Sequence, residues 1–402
     1  MRETETPVMS LQIAPHLRFL ITCVAVGLAL RLGLSAISQG SNDAATWERF
    51  GNRIADVGLL KGYQLESDMN HPPLPLLWAR LSVRAGQRGD FAFVMKIPAI
   101  LADAVSCVLV VLIWLRHGDA RRARLAGWAL ALNPVAILVA GYHCNTDSVL
   151  AMFALLAMYL IDCRASFILV GLAVGAAINV KLIPILLIPI ALSFCRSRAD
   201  LMKFTTGLAI AGIPFLPLLT IPNVLVRNLL TYAPPLCEWG VPFFFKASLT
   251  YPPLEHTAQL FLERYLWIGR WSIIAVAITL GIDSYRHHRW NPYQLAVLAF
   301  ASMLVLAPGF GVQYLVIVVP VLMAVSITRS WMYGVLGGLF LATVYATFLQ
   351  EGVWPLYSSF YDPFPMPGPL FGLLAWWVLA ETIVHQLQHP IRKADAPDPA
   401  AP

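Results

Sequence analysis

Charge is scarce in this chain of 402 residues. Only 12% of them are Asp, Glu, Lys or Arg, and a soluble domain carries about twice that share. A long polar block is missing too. Apolar runs recur from residue 17 to residue 387, and nothing between them is large enough to fold as a separate soluble unit. The six cysteines have no paired spacing, so they do not read as a disulfide framework. Cys23, Cys107, Cys163 and Cys195 lie in or at apolar runs and read as small packing residues. Cys144 and Cys237 are the one candidate pair for a bridge. CxxC and HExxH spacings are absent, so no metal site is expected. No internal repeat is evident, which weakens a transporter built on inverted repeats.

What remains is apolar: 58% of the residues are hydrophobic. The runs are about 16 to 25 residues long and lack strict alternation, so they read as helices rather than barrel strands. The expected fold is an all-α polytopic membrane protein with about 12 transmembrane helices (11–13). The expected spans are 17–38, 91–115, 125–141, 147–162, 165–180, 182–195, 203–220, 265–282, 292–307, 312–327, 331–349 and 369–387. Residues 1–388 read as a single membrane-embedded domain and 389–402 as a disordered cytoplasmic tail.

The net charge of +6 would suggest nucleic acid in a soluble protein. Here the basic residues cluster in short loops, 116–124, 195–203 and 283–291, and in the tail. Such loops read as cytoplasmic, and no nucleic-acid partner is expected. Both termini then face the cytoplasm, and residues 39–90, 221–264 and 350–368 face outward. Residues 39–90 are basic as well, against the rule, which long loops follow weakly.

The first outer loop, SNDAATWERFGNRIADVGLLKGYQLESDMNHPPLP (41–75), is polar and large for so apolar a chain. Trp47, Phe50, Ile54 and Val57 form a helical stripe expected to lie at the membrane interface. A second amphipathic piece, LPLLWARLSVRAG (74–86), follows the prolines. Asp43, a few residues past the first span, has two readings: an N-cap, or a general base at the bilayer surface.

Four other stretches carry polar groups at the expected outer face. GYHCNTD (141–147) sets His143, Asn145 and Asp147 in one tight turn, either a site wall or a helix cap. Lys181 lies between two apolar runs, where an ionisable residue is functional by default or snorkels to the headgroups. Gln313 and Tyr314 follow a Pro-Gly turn and could hydrogen-bond a sugar or phosphate. The aromatic stretch 230–245 suits a lipid entrance or an ordinary interfacial belt.

Taken in order, NDAATWERFGNRIADVGLLKGYQ with HPPLPLLW, LNPVAILVAGYHCNTDSVL, VKLIPILLIP and PGFGVQYLVIVVP resemble the motifs of the GT-C superfamily of integral-membrane glycosyltransferases. Those motifs are "D…Y/W…G…Y…PPL", "NP…GxxxNxD", "K…P…P" and "P…QY…P". The resemblance spans most of residues 20–325. It implies transfer of a sugar from a polyprenyl-phosphate carrier to a lipid-linked or cell-envelope glycan or glycolipid at the outer face. It implies Asp43 as the base of an inverting displacement. For the carrier phosphate it implies Lys181 first, with His71, Arg53 and Arg227 behind it. Asp147, Asn145 and His143 would orient the sugar or support the base. No cofactor or metal is required, although Asp43 and Asp147 could together hold a divalent cation. The first loop lacks the Asp-Glu pair of protein O-mannosyltransferases, which argues against that subfamily. The alternative function is a transporter or flippase of lipid-linked saccharides, which needs no carboxylate base.

Overall fold

A computed structural model describes residues 14–86, 91–231, 239–248, 252–347, 356–358 and 367–390. The chain begins with α1 (Ala14–Ala36), the short strand β1 (Ser38–Ser41), α2 (Asn42–Val57), α3 (Leu59–Leu65) and α4 (Pro73–Gly86). Then come α5 (Phe91–Arg116), α6 (Ala120–Ala131), α7 (Pro134–Leu138), a π-helical turn (Val139–His143), α8 (Asp147–Asp162) and α9 (Phe167–Val180). After a 3-10 turn (Ile183–Leu186) follow α10 (Leu187–Ser193), α11 (Arg198–Ala211), α12 (Pro222–Leu225), α13 (Gly240–Ser248) and α14 (Pro252–His287). The series closes with α15 (Pro292–Leu306), α16 (Leu315–Val325), α17 (Ile327–Thr347), β2 (Leu356–Ser358) and α18 (Gly368–Gln388). The strands β1 and β2 pair in parallel. The all-α membrane class therefore holds, with this small two-stranded ribbon added.

Five helices among the described residues are long and apolar enough to span a bilayer: 16–36, 91–116, 120–143, 253–287 and 368–388. The pair Arg198–Ala211 and Ile213–Thr220 makes a sixth if it is one span, bent by 61°. The expected straight span at 203–220 is thus broken, at Gly212-Ile213-Pro214, because a proline there cannot continue the hydrogen-bond ladder. Four more apolar helices, 167–180, 183–193, 292–306 and 312–325, run 10–17 residues. The expected span at 265–282 is part of a longer helix: α14 starts at Pro252, inside the stretch expected to be loop. Its outer face carries Trp267, Ile268 and Trp271, with Trp267 69% exposed, a surface suited to lipid and its interface.

The centre of the bundle is α15 and α16, whose side chains are buried almost throughout. Lipid is as apolar as leucine, so close packing and buried polar contacts hold such helices together. Gly171 of α9 meets α11 so closely that a Cβ there would stand 2.2 Å from the Phe204 carbonyl. Arg31 of α1 bonds Asp103 of α5 at 2.9 Å and the Ala131 carbonyl of α6 at 2.9 Å, tying three helices at one buried point. Removing either charge would leave the other buried and unpaired, at a cost of about 3–5 kcal/mol.

Polar contacts mark the two ends. At one end, Asp162 accepts from Arg116 (3.2 Å) and Tyr293 (3.3 Å), and Arg196 meets His288 (3.3 Å). These are the basic loops expected to share the cytoplasmic face. At the other end of α8, about 24 Å away at helical rise, stands Asp147.

Between β1 and α5, the expected two interfacial helices are three: α2, α3 and α4. Trp47, Phe50 and Ile54 do not lie at a membrane surface. They are buried together with Tyr63, Met69, Leu76 and Ala79, because α4 and the strap 66–72 cover the stripe. The exposed large apolar side chains here are Leu65 of α3 and Leu74 and Leu81 of α4. Arg49 and Arg53 hold the strap from outside, through Glu66 at 2.5 and 2.7 Å.

Candidate active site

Ser41 ends β1 in an extended conformation, and its hydroxyl accepts from the Asp43 amide at 3.2 Å. Ser41 is therefore the N-cap of α2, and Asp43 sits inside the first turn. The cap reading of Asp43 is corrected: its carboxylate turns away from the helix end. Oδ2 accepts from Asn145 Nδ2 at 2.5 Å and lies 3.2 Å from His143 Nε2. The Asp43 side chain is 26% exposed, so it still reaches solvent or substrate. Burial alone would raise its pKa, but the His143 and Asn145 contacts outweigh that and hold it below the usual carboxylate value.

The turn that delivers these donors is unusual locally. Asn133 caps α7 by accepting from Ala136 N, and Pro134 starts the helix. The helix then widens into a π turn over Val139–His143 and ends at Cys144 in the left-handed region, φ 67°. That reversal brings His143 and Asn145 to one carboxylate. Ser41 Oγ donates to the His143 carbonyl at 2.8 Å, locking turn and cap together. Gly40, at φ 99°, lies so near that a Cβ would stand 2.8 Å from the Tyr142 carbonyl. Cys144 is buried here, and Cys237 lies outside the described residues.

Lys181 caps the end of α9 in an extended conformation. Its ammonium lies 3.0 Å from Asp147 Oδ1 and 4.2 Å from the Tyr314 ring centroid. Asp147 is fully buried, while Lys181 keeps 12% exposure. Asp147 is thus the counterion of Lys181 and not a direct sugar contact, and Thr146-Asp147 makes no side-chain cap. His143 and Asn145 are buried as well and act on Asp43. Each aspartate has its own donor, Asn145 for Asp43 and Lys181 for Asp147.

A cavity of about 470 Å³ opens over these groups. Asp43, His71, Lys181, Gln313 and Tyr314 line it, with Arg270 of α14. Two expected phosphate ligands lie outside it. Arg53 is held by Glu66 on the far side of α2, and Arg227 bonds Asn228 at 2.8 Å. His71 is present but is no cation. Burial and the neighbouring Lys181 push its pKa down to about 3, against a smaller pull from Asp43. Its ring packs against Trp47, centroids 4.4 Å apart and tilted by 42°. Arg270 was missed because it stands in a long apolar helix with no motif around it; only the fold of α14 over the cavity reveals it.

Residues 70–221 match the family model of dolichyl-phosphate-mannose-protein mannosyltransferases, a family of the GT-C superfamily. Over that segment the chain is similar to that family. The GT-C match contains His71, His143, Asn145, Asp147 and Lys181, and it begins past Asp43. A GT-C family of this kind implies a glycosyltransferase, mannosyltransferase-like, with a polyprenyl-phosphate sugar donor and a glycan acceptor. No curated protein matches the chain.

Proposed function

We propose that the protein transfers a sugar from a polyprenyl-phosphate carrier to a hydroxyl of a lipid-linked or cell-envelope glycan, at the non-cytoplasmic face of the membrane. The observation that carries this reading is one cavity holding a hydrogen-bonded carboxylate, Asp43, together with two cations, Lys181 and Arg270. The acceptor hydroxyl approaches Asp43, whose free oxygen takes its proton as the acceptor oxygen bonds to the anomeric carbon. The bond from that carbon to the phosphate oxygen breaks on the opposite side, which inverts the centre. The lipid phosphate leaves with the electron pair. It needs positive charge as it departs rather than a proton, and Lys181 and Arg270 supply that charge. Lys181 is steadied for this by Asp147 and the Tyr314 face. Neutral His71 is a hydrogen-bonding group for the sugar. Gln313, at the same wall, has the same capacity.

The test is transfer from polyprenyl-phosphate mannose by the purified protein in liposomes carrying a membrane glycolipid extract. Loss of the donor with gain of a hexose on an acceptor supports the reading. Donor redistributed across the bilayer and left intact would show a flippase instead. Arg270→Ala should raise the apparent KM for the donor at least about tenfold, because a charge-assisted contact to phosphate contributes about 1.5–3 kcal/mol.

A further inference from the structure

Asp43 Oδ2 accepts from Asn145 Nδ2, and His143 Nε2 stands 3.2 Å from the same oxygen, outside hydrogen-bond alignment. A bare lone pair on Nε2 would repel that carboxylate oxygen, so His143 Nε2 carries the proton. On the other side of the ring, the Tyr345 hydroxyl lies 2.9 Å from Nδ1. Tyr345 belongs to α17, 202 positions further along the chain. His143 is fully buried and Tyr345 nearly so, which shields this contact from water. The Tyr345 ring stacks against His143 at 5.7 Å and packs, tilted, against Tyr142 at 4.7 Å. A neutral imidazole has one N–H and one lone pair. With the N–H facing Asp43, the lone pair faces Tyr345, and the hydroxyl donates.

Resting on the glycosyltransferase reading, we infer that Tyr345 is a positioning residue: it fixes His143 as the Nε2–H tautomer, so that its N–H faces Asp43 Oδ2 beside the Asn145 bond and leaves Oδ1 for the acceptor hydroxyl. The direction of the chain matters. An imidazolium would pair with Asp43 as an ion and lower its basicity. A neutral ring held by a hydroxyl orients the carboxylate with less of that loss. In the transfer step the acceptor O–H bond breaks and its proton goes to Oδ1. His143 and Tyr345 neither gain nor lose one. The second nitrogen of a histidine sets the role of the first in the same way at many catalytic sites.

Tyr345→Phe keeps the ring and its stacking and removes only the hydroxyl. The first measurement is the 15N spectrum of histidine-labelled protein in bilayers, with the His143 signals assigned by their loss in His143→Gln. The wild-type ring should show a protonated Nε2 and a bare, hydrogen-bonded Nδ1. Tyr345→Phe should show mixed tautomers or an imidazolium. The second measurement is turnover with polyprenyl-phosphate mannose. Loss of one hydrogen bond should lower kcat about tenfold, leave the donor KM unchanged, and add nothing in a His143→Gln background. An unchanged His143 spectrum in Tyr345→Phe overturns the inference. So does an altered spectrum with full turnover. The spectrum needs no substrate. If the wild-type protein transfers no sugar, the glycosyltransferase reading fails and takes the catalytic role with it, while the spectrum still decides the hydrogen bond.

Discussion

Asn145 Nδ2 stands 2.5 Å from Asp43 Oδ2, across 102 positions of sequence. The amide comes from the turn after the π-helical segment and the carboxylate from the first turn of α2, and Ser41 fastens the two together. The cap and the carboxylate are therefore separate residues, and they can be tested separately.

Asp43→Asn should leave folding and membrane insertion intact, because Ser41 caps α2. Sugar transfer should fall by at least about 10²-fold through loss of the proton acceptor. Thermal melting in detergent checks the first half and radiolabelled transfer the second. A variant retaining full turnover would remove Asp43 as the base.

Lys181→Ala strands a fully buried Asp147 carboxylate. Two losses are expected: transfer down about 10²- to 10³-fold, and stability down by about 3–5 kcal/mol. Adding Asp147→Asn to Lys181→Ala should restore much of the stability and none of the rate. Rescue of the rate as well would mean that Lys181 serves only to balance Asp147.

His71 carries a pH signature. Its folded pKa, near 3, lies below the ordinary histidine value of 6.5. Between these values the unfolded chain binds a proton that the folded chain does not, so stability falls as pH drops from about 6.5 toward 3. Asp43, with its lowered pKa, adds a loss in the same direction at more acid pH. His71→Gln should flatten the melting temperature between pH 6.5 and 4. An equally steep slope in that variant would show that His71 titrates normally.

Gly40→Ala meets both a left-handed backbone and the Tyr142 carbonyl. The backbone alone costs about 1–2 kcal/mol. Since β1 positions Ser41 beside the His143 turn, transfer should fall more than it does in Arg53→Ala, where the lost group lies outside the cavity. Parallel melting and transfer assays on the two variants make the comparison.

Composition and periodicity settled the class: sparse charge and repeated apolar runs admit membrane helices and little else. Order along the chain also exposed Asp43, Asn145, Asp147 and Lys181, because a polar residue beside an apolar run is costly and therefore conspicuous. Tertiary structure decided what those residues touch. Local sequence cannot say whether Asp43 or Ser41 caps α2, since both can, and the choice depends on the His143 carbonyl that Ser41 reaches. Nor can it show that Asp147 is spoken for by Lys181, that Arg53 and Arg227 turn away, or that its surroundings and Lys181 push the His71 pKa down. Arg270 and Tyr345 lie in long apolar helices that look like plain lipid-spanning segments. Their roles come from partners distant along the chain, and a pattern of neighbours contains no record of which distant helix packs against it.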